Sequence, residues 1–508
     1  MNLIKTRNDR DVLLSTSIAS SMVFIDTTAV NTVLPAIQRS LDTALTDAQW
    51  VVEIYMLFLA SLLLLGGALG DRFGRRRVFR LGIILFAFAS LACGLSETPL
   101  QLIAARAFQG IAAALLTPAS LALLNASFPP ERRAAAVGAW SAVTALAVPL
   151  GPVLGGALAD WLSWHWIFFI NLPLSIAALY ALRNVERPRF DPQIASSFDL
   201  AGAVVITLAL GGLVYGLLEL SRRGLSDDFV LAGFVVSAIG LPLFVLIESR
   251  AKNPLMPLSL FKIRTFTGIN LATFLLYGGL YASSFFIPFK FISTQGYSAA
   301  QAGAALLPLP LAISILSRAS GAIAHRLGLV TPVVAGSILT GCGLIGIGLT
   351  PLGHSYWTGY LPFITVLAIG LGLLVAPLTT IAVNAAGEGK SGIASSLNNA
   401  VVDVGALFTI AIAGLLLVPI YRRQLIAGLA ALLPPDAVTA IAAQASKLAN
   451  ITLPPGFSAD LNDAAAISVK AALAESLGMV IAFGGIGGFI AAAVTALLVR
   501  PRTVAPQS

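Results

Sequence analysis

Residues 67–77 read GALGDRFGRRR, and they follow a run, 54–69, that contains no charged residue. A helix needs about 20 apolar residues to cross the hydrocarbon core of a bilayer. Arginines directly after such a run are typical of a short loop at the membrane surface. The chain is 57% hydrophobic and only 11% charged, whereas soluble proteins are about 25% charged. The sequence therefore predicts an all-α polytopic membrane protein.

The apolar runs recur along the whole chain and predict fourteen transmembrane helices. An even number places both termini on one side of the membrane, and about two thirds of the 31 lysines and arginines fall on that side. This distribution predicts cytoplasmic termini and accounts for the net charge of +8 without a nucleic-acid partner. The predicted spans are 13–35, 50–69, 78–95, 100–124, 134–158, 164–182, 199–219, 229–247, 267–290, 300–323, 331–350, 359–384, 392–419 and 478–499.

The opening stretch has a partial repeat in the second half of the chain. GALGDRFG at 67–74 aligns with GAIAHRLG at 321–328, and each ends an even-numbered predicted span. The two copies lie eight spans apart, whereas a plain six-plus-six duplication would separate them by six. We therefore predict two six-helix halves with two helices inserted between them, an organisation in which transporters handle substrate between the halves. The predicted boundaries are 1–190, 191–256 and 257–508, with an external loop at about 421–477.

Several motifs in this order resemble the major facilitator superfamily, in its 14-span drug:proton antiporter branch. GALGDRFGRRR is similar to the family signature between spans two and three, and IDTTAVNTVLP at 25–35 is similar to the first-span motif. RAFQG at 106–110 resembles the fourth-span motif, and LGPVLGG at 150–156 resembles the antiporter motif of span five. WHWIFFINLP at 164–173 is typical of span six. The resemblance covers nearly the whole chain.

The resemblance implies a transporter and not an enzyme. We expect a proton-coupled exporter of amphipathic drugs or dyes that works by alternating access in the cytoplasmic membrane of a bacterium. Such a protein uses the proton gradient and needs no cofactor or metal; its partners are a small amphipathic substrate, protons and the lipid bilayer, and we expect a monomer. Two alternatives stay open: a dedicated exporter of an endogenous lipid, siderophore or antibiotic, and a non-transporting membrane sensor.

Charged side chains inside predicted spans need a functional or structural reason, because each costs about 2.5–3.5 kcal/mol on insertion scales. At a rise of 1.5 Å per residue, Asp26, Glu53 and Arg106 lie roughly 14, 5 and 9 Å below the outer boundary. They therefore share one depth band and are expected to line one aqueous site, in which Asp26 binds and releases a proton. The alternative is a static Asp26–Arg106 pair that only holds helices together. Lys290, at the end of span nine, is expected to reach the interface.

Asp403 in span thirteen and Arg318 in span ten allow two interpretations. They lie roughly 17 Å and 8 Å from the cytoplasmic end of their spans, so a long arginine could close most of the gap. Asp403 is then either the structural partner of Arg318 or a second proton or cation site. The complete candidate cavity set is Asp26, Asn31, Glu53, Arg106, Gln109, Arg318, Asn398 and Asp403.

Two further motifs are expected to serve conformational change. In the opening stretch, Gly67 and Gly70 are expected to allow close helix approach and Gly74 a tight turn. The resemblance implies that Asp71 contacts the start of span thirteen at 390–392 and joins the halves in the outward-open state. The predicted gating-loop residues are Gly67, Asp71, Arg72, Gly74, Arg75 and Arg76. The predicted kink residues of span five are Gly151, Pro152, Gly155 and Gly156.

Overall fold

The structure, a computed structural model, describes residues 4–186, 199–251, 254–387 and 391–499. Within these ranges a few side chains, among them those of Arg318 and His325, lie outside the described part. All regular secondary structure in these ranges is helical, in agreement with the predicted all-α class.

Seventeen α-helices follow one another along the described chain. Two short 3-10 helices and two π-helical turns connect some of them. The helices are α1 (Arg7–Ser40), α2 (Leu45–Phe73), α3 (Arg75–Gly94), α4 (Pro99–Ser127), α5 (Pro130–Trp161), α6 (Trp166–Phe169), α7 (Asn171–Arg183), α8 (Leu200–Arg223), α9 (Asp228–Arg250), α10 (Arg264–Phe289), α11 (Ala299–Ala305), α12 (Pro308–Leu327), α13 (Val330–Leu349), α14 (Leu361–Ala386), α15 (Ser391–Leu429), α16 (Pro435–Ala442) and α17 (Ala459–Leu498).

Thirteen helical segments of the described chain are long and apolar enough to cross a membrane. They correspond to all of the fourteen predicted spans except 300–323. That span coincides with α11 and α12, which are separated at Leu306 and Leu307. Pro308 follows directly, and proline disfavours helical geometry in the residue before it.

Local sequence signals set several helix ends. Thr6 and Thr98 cap α1 and α4 with capping boxes, in which each threonine accepts a backbone hydrogen bond and the third helical residue bonds back. Between α2 and α3, Gly74 has φ of +96°, a conformation that side chains with a Cβ rarely adopt. The opening stretch therefore reverses the chain within one residue, which lets its arginines begin a new helix.

The helices pack into two bundles with an additional pair at the seam between them. In the first bundle α1 packs on α5 and α7, and α4 packs on α2 and α3. In the second, α17 packs on α10 and α13, and α14 packs on α12 and α13. The inserted helices α8 and α9 pack on each other, and α8 also contacts α2 of the first bundle and α15 of the second. The predicted boundary at 190 lies outside the described residues.

The two bundles are joined on the face opposite the amino terminus, hereafter the far face. At the end of α5, Asp160 accepts hydrogen bonds from the backbone N–H groups of Ala299 and Ala300 at the start of α11, at 3.1 and 2.8 Å. Gln49 of α2 donates to the Ile410 carbonyl of α15 at 2.9 Å. These hydrogen bonds between the bundles lie on the far face.

The predicted external loop at about 421–477 is largely helical, because α15 and α17 extend far into it. The remaining segment packs against the far ends of α2, α15 and α17. Ile441 and Leu448 of this segment are fully buried. Lys447 forms an ion pair with Asp42 of the α1–α2 connection at 3.2 Å. The segment therefore forms part of the closure on the far face.

Lys290 does not reach the interface as expected, because it is 1% exposed. Its ammonium group donates to the carbonyls of Ile347, Gly348 and Thr350, at 3.2, 2.5 and 3.1 Å. These groups lie at the carboxyl end of α13, where a positive charge is favourable and the last carbonyls lack helical partners. Lys290 thus fastens α10 to α13.

We predict that Lys290→Met lowers the stability of the second bundle. Methionine keeps the apolar stem but leaves three buried carbonyls without a donor, which costs about 1–3 kcal/mol for each group left unsatisfied. Thermal unfolding of the purified protein in detergent measures the change. Lys470→Met is the matched control, because Lys470 is exposed on the same face. Equal melting temperatures for the two variants would contradict the capping role.

Candidate functional site

A buried ion pair lies at the centre of the first bundle. Arg106 of α4 donates to the carboxylate of Asp26 of α1 at 2.7 Å, and both side chains are about 1% exposed or less. Arg106 also donates through Nε to the Val51 carbonyl of α2 at 3.0 Å and stacks over the Tyr55 ring, 4.0 Å from its centre. The guanidinium group of α4 is thereby held by α1, by α2 and by an aromatic face.

Amide and hydroxyl groups complete the shell of the Asp26 carboxylate. Gln109 and Asn171 donate to its second oxygen at 2.8 and 3.0 Å. Each of these two amides also lies 2.8 Å from the hydroxyl of Ser90 on α3. All three residues are fully buried. Charge-assisted hydrogen bonds of this kind stabilise the ionised carboxylate and fix its position.

Asp26 and Arg106, which are expected to line one aqueous site, are buried from solvent in this conformation. The structure does bring the two groups together, but it encloses them within one bundle and leaves no solvent contact beyond about 1%. Burial of a charged pair is tolerated when its remaining donors and acceptors are satisfied, as they largely are here. The arrangement is therefore a closed polar core.

Glu53 has a different environment from Asp26. It is completely buried, and neither carboxylate oxygen has a hydrogen-bond partner among the described residues. Gln49, one helical turn earlier on α2, contacts α15 of the other bundle. Residues four apart share a helix face, so Glu53 lies on the face of α2 that meets the second bundle.

Asp403 lies on α15, seven residues before Ile410 and thus on a similar face of that helix. It is half-buried and forms no hydrogen bond or ion pair with any described residue. It is close enough to the hydroxyls of Tyr55 and Tyr281 to interact with them electrostatically. The side chain of Arg318, its predicted alternative partner, lies outside the described residues.

The two predicted asparagines do not join the polar core. Asn398 is 3% exposed and donates to Asn270 and Thr273 at 3.1 Å, which ties α15 to α10. Asn31 of α1 is partly buried, and its side-chain oxygen has no hydrogen-bond partner in the described part of the chain. Asn398 thus serves packing within the second bundle in this conformation.

In the predicted gating loop, Asp71 forms an ion pair with an arginine of the same stretch, 67–77. Asp71 accepts from Arg75 at 3.0 Å, while Arg75 also donates to the Ala122 carbonyl of α4 at 3.3 Å. Arg76 donates to the carbonyls of Leu182 and Arg183 at the end of α7. The expected partner of Asp71 at the start of α15 cannot be placed, because 388–390 and the side chains of 391 and 392 lie outside the described residues.

The close helix approach expected at Gly67 and Gly70 occurs one residue earlier. A Cβ atom at Gly66 would collide with the Ala114 carbonyl of α4, whereas one at Gly67 would meet Pro118 at an ordinary 3.7 Å. At Gly70 the nearest atom, in Arg75, would be 4.0 Å away. The helix α2 therefore turns Gly66, and not Gly67 or Gly70, toward α4. Arg72 lies over the ring of Phe73, 5.8 Å from its centre.

The four predicted kink residues face two different helices. A Cβ atom at Gly151 or Gly155 would collide with Thr28 or Ala29 of α1. A Cβ atom at Gly156 would collide with the backbone of Ala299 in the other bundle. The Pro152 carbonyl packs in the same way on Gly303 of α11. These residues therefore provide close packing within and between the bundles.

Reasoning from the sequence missed Asn171, Ser90 and Tyr55 as members of the polar core. The requirement for a partner was applied to charged residues inside spans, and of the amides only Asn31, Gln109 and Asn398 were included in the candidate set. Asn171 stands among apolar residues in the stretch 164–173. The same argument, extended to amides in spans, would have identified it, because an amide in lipid also requires hydrogen-bond partners.

Comparisons with known proteins agree with this architecture. The family model of the Major Facilitator Superfamily matches residues 16–410. The Tetracenomycin C resistance and export protein of Streptomyces glaucescens is 33% identical over 80% of this chain and 75% of its own length. The Methylenomycin A resistance protein of Streptomyces coelicolor is 35% identical over 78% and 83%. The multidrug resistance protein Stp of Mycobacterium tuberculosis is 33% identical over 79% and 74%.

Among solved structures, a bacterial homologue of the human lysosomal transporter Spinster, in an inward-facing and occupied conformation, superposes with a TM-score of 0.67. It is 18% identical and the match covers 99% of this chain and 100% of the other, so it supports the fold alone. The extent of the family match and the identity to curated relatives together show that this chain belongs to the Major Facilitator Superfamily of membrane transporters.

Proposed function

We propose that the protein exports amphipathic drugs or dyes from a bacterial cell in exchange for protons. Three similar proteins carry names that associate them with resistance or export. The observation that carries the proton coupling is Glu53, a completely buried acid without a partner on the helix that meets the other bundle. Each proton that enters contributes about 2.3 kcal/mol per 100 mV of membrane potential.

Glu53 is suited to carry the proton because its environment changes with the conformation. An unpaired carboxylate in an apolar setting costs several kcal/mol, so the closed far face favours the neutral, protonated acid. Separation of α2 from α15 would expose Glu53 to water and remove that cost. The acid thus loads a proton when the far face is open and keeps it as the bundles close, and exchange is completed when that proton leaves toward the cytoplasm before the far face opens again.

Asp403 is the second acid that we assign to transport. It is half-buried, lies within electrostatic range of Tyr55 and Tyr281, and has no ionic partner among the described residues. A carboxylate next to aromatic rings can bind a lipophilic cation, which needs a counter-charge and an apolar surface. Release of a proton from Asp403 on the open side would make it available to such a substrate.

Asp26 and Arg106 have a different role in this proposal. Their charges already compensate each other, so neither needs to gain or lose a proton in the closed bundle. Arg106 stacks on Tyr55, which also interacts electrostatically with Asp403. The polar core would therefore position Tyr55 at the seam instead of carrying the proton itself.

The orientation follows from charge. We propose that the amino-terminal face, which carries most of the basic loop residues, lies in the cytoplasm. The hydrogen bonds that described residues make between the bundles lie on the far face, which this orientation places outside the cell.

A natural product is a second candidate substrate. The name of the Streptomyces glaucescens relative joins resistance with export of tetracenomycin C. An exporter dedicated to one endogenous compound would use the same buried acids but would transport few unrelated dyes. Transport of several cationic dyes would favour the first candidate.

The proposal predicts dye efflux that depends on the proton gradient and on both unpaired acids. In energised inverted vesicles, a protonophore should abolish accumulation of a cationic dye, and Glu53→Gln should do the same because its glutamine cannot carry a proton.

Asp403→Asn should lower accumulation of cationic dyes at least tenfold, since it removes the counter-charge. Glu97→Gln, a change of an exposed acid, is the control at equal expression. Accumulation that persists with the protonophore would contradict proton exchange.

Because the polar core is closed, we predict that substitutions of Asp26 and Arg106 have non-additive effects on the free energy of unfolding. Either Asp26→Asn or Arg106→Gln should cost about 3–5 kcal/mol, because each leaves one buried charge uncompensated. The double variant should cost less than the sum of the two. Thermal unfolding measures all three, with Asp42→Asn as a control that breaks an exposed pair worth about 0–1 kcal/mol. Additive effects would show that the pair does not act as a unit.

Alternating access predicts that fixing the far face stops transport. The test replaces the ion pair between the external segment and the first bundle by two exposed thiols, with Asp42→Cys and Lys447→Cys. The exposed Cys342 is first changed to serine. A bifunctional thiol reagent should abolish efflux, and reduction of a cleavable reagent should restore it. The Asp42→Cys variant alone controls for modification. Full efflux in the cross-linked protein would exclude opening at this place.

A further inference from the structure

The arginines of the opening stretch are not equivalent in the structure. Arg75 is neutralised by Asp71, and Arg76 donates to the carbonyls at the end of α7. Arg77 and Arg80 are exposed, and neither makes a hydrogen bond or an ion pair with another residue of the described chain. Two guanidinium groups, one helical turn apart, therefore remain without a counter-charge.

These two arginines do not stabilise the helix on which they stand. Arg77 lies in the first turn of α3, which contains no acidic residue and has no side-chain cap at Gly74. Cations near a helix amino terminus are unfavourable, because the peptide dipoles place partial positive charge there. An external anion would relieve this repulsion.

The surface that continues from Arg77 along α3 is apolar. Leu81, Leu85 and Phe88 follow at intervals of four, four and three residues, so they lie on one face with Arg77. Their exposed fractions are 49, 38 and 67%. In a membrane-spanning helix such a face contacts acyl chains. From Arg77 to Phe88 is about 16 Å along the helix, about half of the hydrocarbon thickness of ~30 Å.

We propose that Arg77 and Arg80 bind the headgroup phosphate of an anionic phospholipid in the leaflet on the amino-terminal side. The acyl chains of that lipid lie along the stripe formed by Leu81, Leu85 and Phe88. Charge complementarity selects an anionic over a zwitterionic headgroup. The apolar stripe selects a lipid over a free anion. This assignment is independent of the substrate that the protein transports.

Binding of a labelled lipid tests the proposal on the full-length protein in nonionic detergent. Pyrene-labelled phosphatidylglycerol is titrated, and energy transfer from the tryptophans of the protein reports its binding. Pyrene-labelled phosphatidylcholine is the zwitterionic comparison, and unlabelled inorganic phosphate is the free-anion competitor. The variants are Arg77→Gln with Arg80→Gln, and Arg77→Lys with Arg80→Lys. The matched control is Arg422→Gln with Arg423→Gln, two adjacent exposed arginines at the far end of α15.

The proposal expects the wild type to prefer phosphatidylglycerol over phosphatidylcholine. The glutamine pair should weaken phosphatidylglycerol binding by about fivefold per guanidinium removed, whereas the lysine pair and the control should bind nearly as the wild type does. Inorganic phosphate should not displace the lipid. Unchanged binding by the glutamine pair, an equal loss in the control, or displacement by inorganic phosphate would each overturn it.

Discussion

The first bundle depends on the pairing of Asp26 with Arg106 in its interior. An arginine within a membrane protein must find its counter-charge and hydrogen-bond acceptors inside the protein, because lipid offers none. Here the shell is supplied by α1 through Asp26, α2 through the Val51 carbonyl, α3 through Ser90, and α7 through Asn171. Satisfying one guanidinium–carboxylate pair thus fixes how five helices converge.

Asp403 of the second bundle, unlike Asp26 of the first, has no ionic partner among the described residues. The proposed proton exchange depends on this difference. Glu53 presents a bare carboxyl group from the first bundle toward the seam between the bundles. A compensated pair is costly to disturb, whereas an unpaired acid changes its charge when water reaches it. In the proposed mechanism, the core of one bundle is therefore rigid, and the acids that change their charge lie between the bundles.

Much of this architecture follows from the sequence, because hydropathy and basic loops specify where helices cross and end. The similar depth of Asp26 and Arg106 agrees with their pairing, but the same depth argument also placed Glu53 in their site, and Glu53 bonds to neither. The sequence did not show that the pair is enclosed, since that depends on how α7 brings Asn171 into the core. Nor could composition distinguish Gly66 from Gly67 at the α2–α4 contact, because a difference of one residue rotates the contact by about 100°.

The polar contacts that join the bundles on the far face are individually weak. Asp160 binds two backbone N–H groups, Gln49 binds one carbonyl, and Lys447 forms an exposed pair with Asp42. Hydrogen bonds of these kinds contribute about 0.5–3 kcal/mol and exposed pairs about 0–1 kcal/mol.

The glycines at the α5–α11 contact bring backbones together without large apolar side chains that would need to be exposed on opening. In the proposed mechanism, polar contacts of this size are broken by the few kcal/mol that a proton or a substrate supplies through its different affinity for the two states. For the far face to open and close, its contacts must be numerous enough to exclude water and weak enough to separate.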